Sequence, residues 1–410
     1  MRNSKAATRR LFHLSDLDSV PVWSDRRIPT LLLVSMMTVM AGATIAPALP
    51  TIRSFFAETP NADVLVRLVL TLPALFTAIG GPAAGWLVDR IGRRPVLLTG
   101  TVSYALSGAA GGAVDSLAWL LATRAVLGLS VAGIMTTVTT LIADYYDGEK
   151  RSRIMGYQAA FMGGGGVVFL LAGGGLAELS WRGPFAVYLL GLAFLIAAFR
   201  YLPEPDRAGR EVTSPADSPG APRSRIALLY LTAFVGMAAF YMIPVQLPFY
   251  LRTIGVESST AIGAALATST LLGSAASSQF DRVHGRLGHF GTLGLFFVLF
   301  GTGFAIIGSA RTYALVLGGI AVSGLGAGLM MPTLNDWIGA LSRSEDRGRL
   351  LGGLTTAFFL GQFVSPLLTQ PVVDATSLGT TFHLVAAGLG AAGLISLTVF
   401  IGRRTRSGKT

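Results

Sequence analysis

One carboxylate and three guanidinium groups lie in a short polar stretch between two apolar runs. The stretch reads Gly85-Trp86-Leu87-Val88-Asp89-Arg90-Ile91-Gly92-Arg93-Arg94-Pro95. Such charges cannot lie unpaired in hydrocarbon, so the flanking runs are predicted to be separate membrane spans joined by a tight turn. Asp89 can accept hydrogen bonds from an arginine or a helix N-terminus, and Gly85 and Gly92 permit close approach and a sharp turn.

Arg124 is the only charged residue that we predict well inside a span. A buried guanidinium is costly and usually has a function, such as binding a charged group. The alternative is that Arg124 extends to the outer surface and pairs with Asp115 or a lipid headgroup. Both roles fit the sequence.

Carboxylates are predicted only near the ends of spans, with Asp144 and Asp336 near inner ends. A proton relay normally uses a carboxylate inside the membrane. Proton coupling would then use Asp336 or His383, or be absent. No His, Cys, Asp and Glu residues have the sequence spacing of a metal site, and no enzyme or ATP-binding motif is complete, so we predict no metal, no cofactor and no enzyme activity.

The elements that position these residues follow from composition. Charged residues make up 13% of the 410-residue chain and apolar residues 52%, with a mean hydropathy of +0.61. Soluble domains carry about 25% charged residues, so a polytopic membrane protein is predicted. Twelve apolar runs approach the roughly 20 residues that cross a bilayer. They lie at 28–50, 64–86, 95–114, 117–143, 154–177, 183–202, 226–251, 259–279, 290–309, 312–340, 350–373 and 378–402.

The net charge of +11 is unevenly distributed. With a cytoplasmic N-terminus, 26 of the 32 Lys and Arg residues fall in cytoplasmic segments. The five on the outer side are Arg53, Arg67, Arg182, Arg252 and Arg311. This positive-inside bias predicts that both termini are cytoplasmic, and it explains the basic character without a nucleic-acid partner. We expect the protein to lie in a bacterial cytoplasmic (inner) membrane.

A long polar stretch with five prolines, residues 203–225, predicts a flexible cytoplasmic linker between two halves. An internal repeat supports this division, because Glu149-x-Arg151-x-Arg153-x-x-Gly156 recurs as Glu345-x-Arg347-x-Arg349-x-x-Gly352. The predicted domains are an N-terminal tail 1–27, a six-helix bundle 28–202, the linker 203–225, a second bundle 226–402 and a C-terminal tail 403–410.

The 85–95 pattern G-x-L-x-D-R-x-G-R-R-P resembles a loop signature of the major facilitator superfamily of transporters. The resemblance implies an all-α membrane protein with twelve transmembrane helices in two pseudo-symmetric six-helix bundles that rock about a central cavity. It also implies that this loop holds the halves together on the cytoplasmic side in the outward-facing state. A simpler role remains open, in which Arg90, Arg93 and Arg94 only fix the orientation of the helices.

Two further motifs resemble the same family. Arg124-x3-Gly128-x4-Gly133 resembles its fourth-helix motif, whose arginine is linked to proton movement or substrate charge. The fifth helix reads Gly156-x8-Gly165-x3-Phe169-Leu170-x2-Gly173-Gly174. This resembles the antiporter signature of drug and metabolite exporters, although Phe169-Leu170 stands where that signature has Gly-Pro. Small residues at helix contacts would explain the glycines equally well.

The family resemblance also indicates which helices line the cavity. The candidate lining residues are Tyr157, Gln158, Phe161, Phe240, Tyr241, Gln246, Phe358, Phe359 and Gln362. Aromatic rings and amides suit an amphipathic organic solute. We therefore expect a monomeric secondary transporter that exports such compounds in exchange for protons. The alternative is an importer or uniporter of an organic anion, with Arg124 as the substrate anchor.

Overall fold

The computed structural model describes residues 22–205, 223–343 and 346–407. The N-terminal tail up to residue 21, most of the predicted linker, Glu345 of the repeat and the last three residues lie outside these ranges. Twelve long helices form within them, numbered in chain order. They are α1 Arg27–Phe55, α2 Ala62–Ile91, α3 Arg93–Ala110, α4 Leu117–Tyr145, α5 Gly148–Leu179, α6 Gly183–Tyr201, α7 Arg223–Thr253, α8 Ser259–Ser277, α9 Phe280–Ser309, α10 Tyr313–Leu341, α11 Arg347–Ala375 and α12 Leu378–Ser407.

Ten of the helices in the described ranges are long and apolar enough to cross a membrane. The other two, α3 and α8, have 18 and 19 residues and are rich in small and hydroxyl side chains. Two spans begin or continue as 3₁₀ turns, at Ala46–Ala48 in α1 and at Gly183–Leu189 in α6. The all-α prediction is confirmed, with all twelve predicted runs lying on helices.

The helices pack as two sets of six. In the first set α4 packs on α2 and α3, and α1 packs on α5; in the second set α9 packs on α10 and α12, and α7 packs on α11. Between the sets, α5 packs on α8, α2 on α11, and the last part of α1 on α7 and α8. Helix α7 begins at Arg223, three residues before the predicted start of the second bundle, and the domain boundaries themselves stay a prediction.

We call the end where α2 meets α3 the inner end and the end where α1 meets α2 the outer end. Gly92 forms the inner turn between α2 and α3 with φ of 103°, a conformation that favours glycine. Gly288 breaks α9 in the same way, with φ of 58° and ψ of −173°. Ser278, which directly follows α8, keeps helical backbone angles, so the chain does not turn there. The turn of the second half that corresponds to the Gly92 turn of the first half is therefore at Gly288.

Candidate functional site

A buried arginine joins the two halves near the outer end. The Arg67 side chain in α2 is 3% exposed. Its Nε donates to Gln246 Oε1 of α7 at 2.9 Å, and its Nη1 donates to the Asp63 carbonyl at 2.6 Å. The guanidinium also lies 3.9 Å from the centre of the Phe249 ring. Arg67 was predicted on the outer side of the membrane; its burial by α7 at the outer end was not predicted.

Gln246 extends this contact to a third helix. Its Nε2 donates to Thr369 Oγ1 at 3.0 Å and to Gln370 Oε1 at 3.3 Å, both on α11. Gln370 Nε2 then donates to Asp374 Oδ1 at 2.7 Å. Gln246 is fully buried, so in this conformation it belongs to this network and does not line the inner cavity; its role in lining a substrate cavity stays a prediction. We call Asp63, Arg67, Gln246, Thr369, Gln370 and Asp374 the outer network.

A second contact joins the outer ends of α5 and α8. Glu178 at the end of α5 accepts hydrogen bonds from Ser258 Oγ at 2.5 Å and from the Thr260 backbone N–H at 2.9 Å. A carboxylate at a helix N-terminus is stabilised by the orphan N–H groups and the helix dipole. The halves are therefore held together at the outer end in this structure.

The inner end is different, because a cavity of about 670 Å³ separates α11 from α2 and α4. Its walls are Thr77, Ala78, Gly81, Pro82, Ala132, Met135, Thr136, Thr139, Thr140, Gly348, Arg349, Gly352, Gly353, Thr355, Thr356 and Phe359. Thr139, Gly348 and Arg349 are exposed at its mouth. Six threonine hydroxyls and one arginine are the polar side chains among apolar walls, and no lining residue is acidic.

Of the predicted lining residues, Phe359 is the one found in this cavity. Its neighbour Phe358 is 2% exposed and packs in the core, so it does not line the cavity in this conformation. Tyr241 is partly buried on α7, and Gln362 is buried on α11. Phe240 packs against the Tyr241 ring. Phe240, Tyr241 and Gln362 are not among the residues that line this cavity.

The three predicted residues of α5 contact the beginning of the chain. The Trp23 ring lies 5.3 Å from that of Tyr157 and 6.2 Å from that of Phe161. Gln158 Nε2 donates to Ser35 Oγ of α1 at 2.9 Å. In this conformation the α5 residues are thus partners of the N-terminal segment and α1. The sequence did not indicate that the threonines of α2, α4 and α11 line a cavity. They differ from threonines packed between helices only in the direction that the side chain faces.

Asp89 of the 85–95 loop is exposed and makes no hydrogen bond or ion pair with any residue that the structure describes. The carboxylate found at the N-terminus of α3 is that of Glu204 and not that of Asp89. It accepts hydrogen bonds from the backbone N–H groups of Arg93 at 2.8 Å and Arg94 at 2.7 Å. Gly85 faces open space. In this state Asp89 therefore does not link the two halves through any residue that the structure describes.

Arg93 and Arg94 of the same loop bind within the first half. Arg93 Nε donates to Asp144 Oδ2 at the end of α4 at 2.9 Å. Arg94 donates to the Phe199 carbonyl at 2.8 Å and lies over the Phe199 ring. Arg90 lies 5.1 Å from the Trp86 ring. These contacts fasten the inner ends of α3, α4 and α6 to one another.

Arg124 is fully buried inside the first half. Its Nη2 donates to the carbonyls of Ser107 at 3.1 Å and Gly108 at 2.8 Å, in the last turn of α3. The rings of Phe185 and Tyr188 on α6 each lie 5.1 Å from the guanidinium. The side chain therefore satisfies carbonyls at a helix C-terminus and does not line the cavity between the halves.

In this structure Arg124 does not extend to the outer surface, because its side chain is buried, and Asp115 pairs with Arg182. Asp336, predicted as a coupling residue, lies near the inner end of α10 and is hydrogen-bonded to His289 at 2.9 Å. His383 is bonded to Ser309 at 2.8 Å.

Three of the four fifth-helix motif glycines lie at close contacts. A Cβ on Gly165 would meet Met36, one on Gly173 would meet the Thr44 carbonyl, and one on Gly174 would lie 2.6 Å from the Ser259 carbonyl oxygen. Gly156 faces open space. Packing accounts for Gly165, Gly173 and Gly174, and the Gly174 contact crosses between the halves.

Two six-helix sets that meet at one end and enclose a cavity open at the other define a secondary transporter. The family model described as "Major Facilitator Superfamily" matches residues 31–366. The chain belongs to the Major Facilitator Superfamily, and the resemblance inferred from the 85–95 loop is confirmed.

Curated relatives include drug-resistance proteins. The chain is 28% identical over 372 residues to the tetracycline resistance protein, class C, of Escherichia coli, covering 85% of this chain and 89% of that protein. It is 33% identical over 185 residues to the class E protein of Escherichia coli, covering 43% of this chain and 44% of that protein, so this match spans less than half of each. The crystal structure of a D-xylose-proton symporter matches with a TM-score of 0.72 and 14% identity, covering 90% of this chain and 96% of that chain. This last likeness shows the fold alone.

Proposed function

We propose that this protein exports small amphipathic organic compounds from the cytoplasm in exchange for protons. The supporting observation is the cavity between α2, α4 and α11, which is open at the inner end and lined by threonine hydroxyls and apolar groups. Its volume of about 670 Å³ is within the range of roughly 300–1,000 Å³ typical of drug-sized ligand sites. The tetracycline resistance relatives are consistent with a compound of this class.

The proposed direction of export rests on the drug-resistance relatives. The charge bias predicts that the inner end and both termini face the cytoplasm, and we propose a bacterial inner membrane. A compound would enter the cavity from the cytoplasm while the outer network keeps the opposite end closed. Transport then requires that the outer network break and that the inner ends close. Asp89 is free to form a contact in that second state.

Proton coupling is proposed through carboxylates at helix ends. Asp63 and Asp374 belong to the outer network, so protonation of either would remove a charge-assisted contact and favour opening on that side. Asp336, the coupling residue proposed from the sequence, would act from the inner end. These three are the groups to test by substitution.

The test is transport by purified protein in liposomes that contain a pH-sensitive dye. With an imposed proton gradient, addition of tetracycline or another neutral amphipathic compound is expected to cause a proton flux that empty liposomes lack. A panel of cationic and anionic compounds defines the charge preference. Labelled anions that cross without moving protons, and still cross after an uncoupler, would replace this proposal with the anion importer or uniporter.

The cavity itself is tested by removing hydroxyls without changing shape. Thr136→Val on α4 and Thr355→Val on α11 are each expected to raise KM roughly 3- to 10-fold, the cost of one lost hydrogen bond. Thr99→Val on the exposed surface of α3 is the matched control and should leave KM unchanged. Unchanged KM in all three variants would place the substrate elsewhere.

A further inference from the structure

Two histidines and one aspartate meet at the inner end of the second half. His284 and His289 lie on the two sides of the break at Gly288, and Asp336 lies near the end of α10. One potential ligand atom from each lies within 4.8 Å of the other two. Sequence spacing indicated no such group, because Asp336 is 47 residues from His289.

The distances suit a tetrahedral metal ion. Asp336 Oδ2 lies 2.9 Å from His289 Nε2 and 3.5 Å from His284 Nε2. Zinc-ligand bonds of 2.0–2.1 Å at tetrahedral angles place ligand atoms roughly 3.3 Å apart. A metal ion could therefore bind all three atoms after only small side-chain movements.

Aromatic neighbours hold both imidazole rings in place. The Phe280 ring stacks on His284 at 5.0 Å, and the Trp337 ring stacks on His289 at 4.9 Å. The nearby Arg282 donates to Gln279 at 2.5 Å and does not pair with Asp336. Asp336 is 51% exposed, so an ion can reach the site and keep water in its fourth position.

The equivalent place in the first half holds a permanent salt bridge instead. Arg93 directly follows the turn glycine Gly92 and pairs with Asp144 near the end of α4. His289 directly follows the turn glycine Gly288 and pairs with Asp336 near the end of α10. An imidazole thus replaces a guanidinium, and an imidazole can bind a metal ion whereas a guanidinium cannot.

We propose that His284, His289 and Asp336 form a binding site for a zinc-type divalent transition-metal ion, which joins the beginning of the ninth span to the end of the tenth. Neutral imidazole and carboxylate ligands suit Zn²⁺, Co²⁺ and Ni²⁺. The full chain has no cysteine and two other histidines, His13 and His383, so few groups compete for the ion.

The test is a calorimetric titration of the purified full-length protein with Zn²⁺, using an affinity tag that contains no histidine. One ion is expected to bind per chain, and Co²⁺ in the same site should give the visible absorption of tetrahedral coordination. Because Trp337 stacks on His289, bound Co²⁺ should also quench tryptophan fluorescence. The metal should raise Tm, since it binds the folded protein.

His284→Gln, His289→Gln and Asp336→Asn are each expected to weaken Zn²⁺ binding at least tenfold, whereas His383→Gln is the control and should bind like the wild type. Gel filtration and Tm without metal establish that each variant is folded. If the wild type shows no saturable binding, or if the His289→Gln and Asp336→Asn variants bind as tightly as His383→Gln, the site does not exist. Neither result depends on whether the protein exports drugs.

Discussion

Arg67 Nε donates to Gln246 Oε1 across 2.9 Å and so joins α2 of the first half to α7 of the second. Both side chains are buried. A buried guanidinium costs several kcal/mol of desolvation, which its partners must offset in any state where it stays buried. When the outer end opens, water can hydrate Arg67 and replace Gln246. The contact can therefore hold one state closed without making the other inaccessible.

Replacing Arg67 should release the outer end. The chain has no cysteine, so a Thr71→Cys probe, one turn inward and buried between the halves, can be labelled alone. Loss of a charged hydrogen bond costs about 1.5–3 kcal/mol, so Arg67→Gln should increase labelling from the outside roughly 10- to 100-fold. The measurement is the rate of reaction with a membrane-impermeant maleimide in proteoliposomes.

Arg53→Gln is the matched control for that experiment. Arg53 forms a bidentate pair with Asp63 at 2.9 Å, but it lies on α1, in the same half as Asp63. Its loss should leave the labelling rate of Thr71→Cys near the wild-type value. Equal rates in the Arg67 and Arg53 variants would mean that the outer network does not control opening.

The contact between α5 and α8 can be tested with adjacent glycines. A methyl group on Gly174 would lie 2.6 Å from the Ser259 carbonyl oxygen, whereas one on Gly175 would meet nothing within 4 Å. Overpacking typically costs 1–3 kcal/mol, so Gly174→Ala should separate the outer ends and lower the transport rate about tenfold. Gly175→Ala should transport normally. A normal rate in both variants would contradict a close outer contact during the cycle.

Hydropathy and charge were sufficient to predict the twelve helices, because the position of a span depends on the composition of a whole segment and not on how the helix is rotated. They placed Arg124 inside a span but left open whether its side chain is buried or extends to the outer surface. Helix rotation was not predictable. Phe358 and Phe359 differ by about 100° around α11, and Phe359 alone lines the cavity. An aromatic residue in a hydrophobic helix is equally compatible with the packed core and with a cavity wall.

Contacts between residues that lie far apart in the sequence could not be predicted either. Arg67 lies five residues after the start of α2, a position that indicates the membrane surface when α2 is considered alone. Its burial results from Gln246, 179 residues away. The pairing of His289 with Asp336 likewise results from the packing of α9 on α10. Such contacts depend on the assembled bundle, which no local pattern specifies.

Asp89 should matter for transport and not for the stability of this conformation. Its side chain is exposed and unbonded within the part of the chain that the structure describes, so Asp89→Asn should leave Tm within about 1 °C. If Asp89 holds the inner ends together in the other state, the transport rate should fall at least tenfold at equal membrane insertion.

Arg93→Gln provides the contrast for Asp89, because it breaks the Arg93–Asp144 ion pair that this conformation does contain. That variant should lower Tm as well as the transport rate. Normal transport by correctly inserted Asp89→Asn would reduce the loop to its simpler role of fixing helix orientation by positive charge.

Arg124 should contribute to stability and not to substrate affinity. Its Nη2 satisfies two carbonyls at the end of α3, and leaving these buried acceptors unpaired costs about 1–3 kcal/mol each. Arg124→Met should therefore lower Tm and the yield of folded protein. Arg124→Lys should recover only part of the loss, since an ammonium lacks the planar fork that lies between the Phe185 and Tyr188 rings.

Transport by the folded fraction distinguishes the two roles of Arg124. A structural role predicts that KM for each compound stays within about twofold of the wild type, because Arg124 does not line the cavity. A substrate anchor predicts the opposite result, with KM for anions raised at least tenfold and Tm unchanged. That result would require Arg124 to leave its carbonyl partners and turn toward the cavity during the transport cycle. It would favour the alternative function, import or uniport of an organic anion.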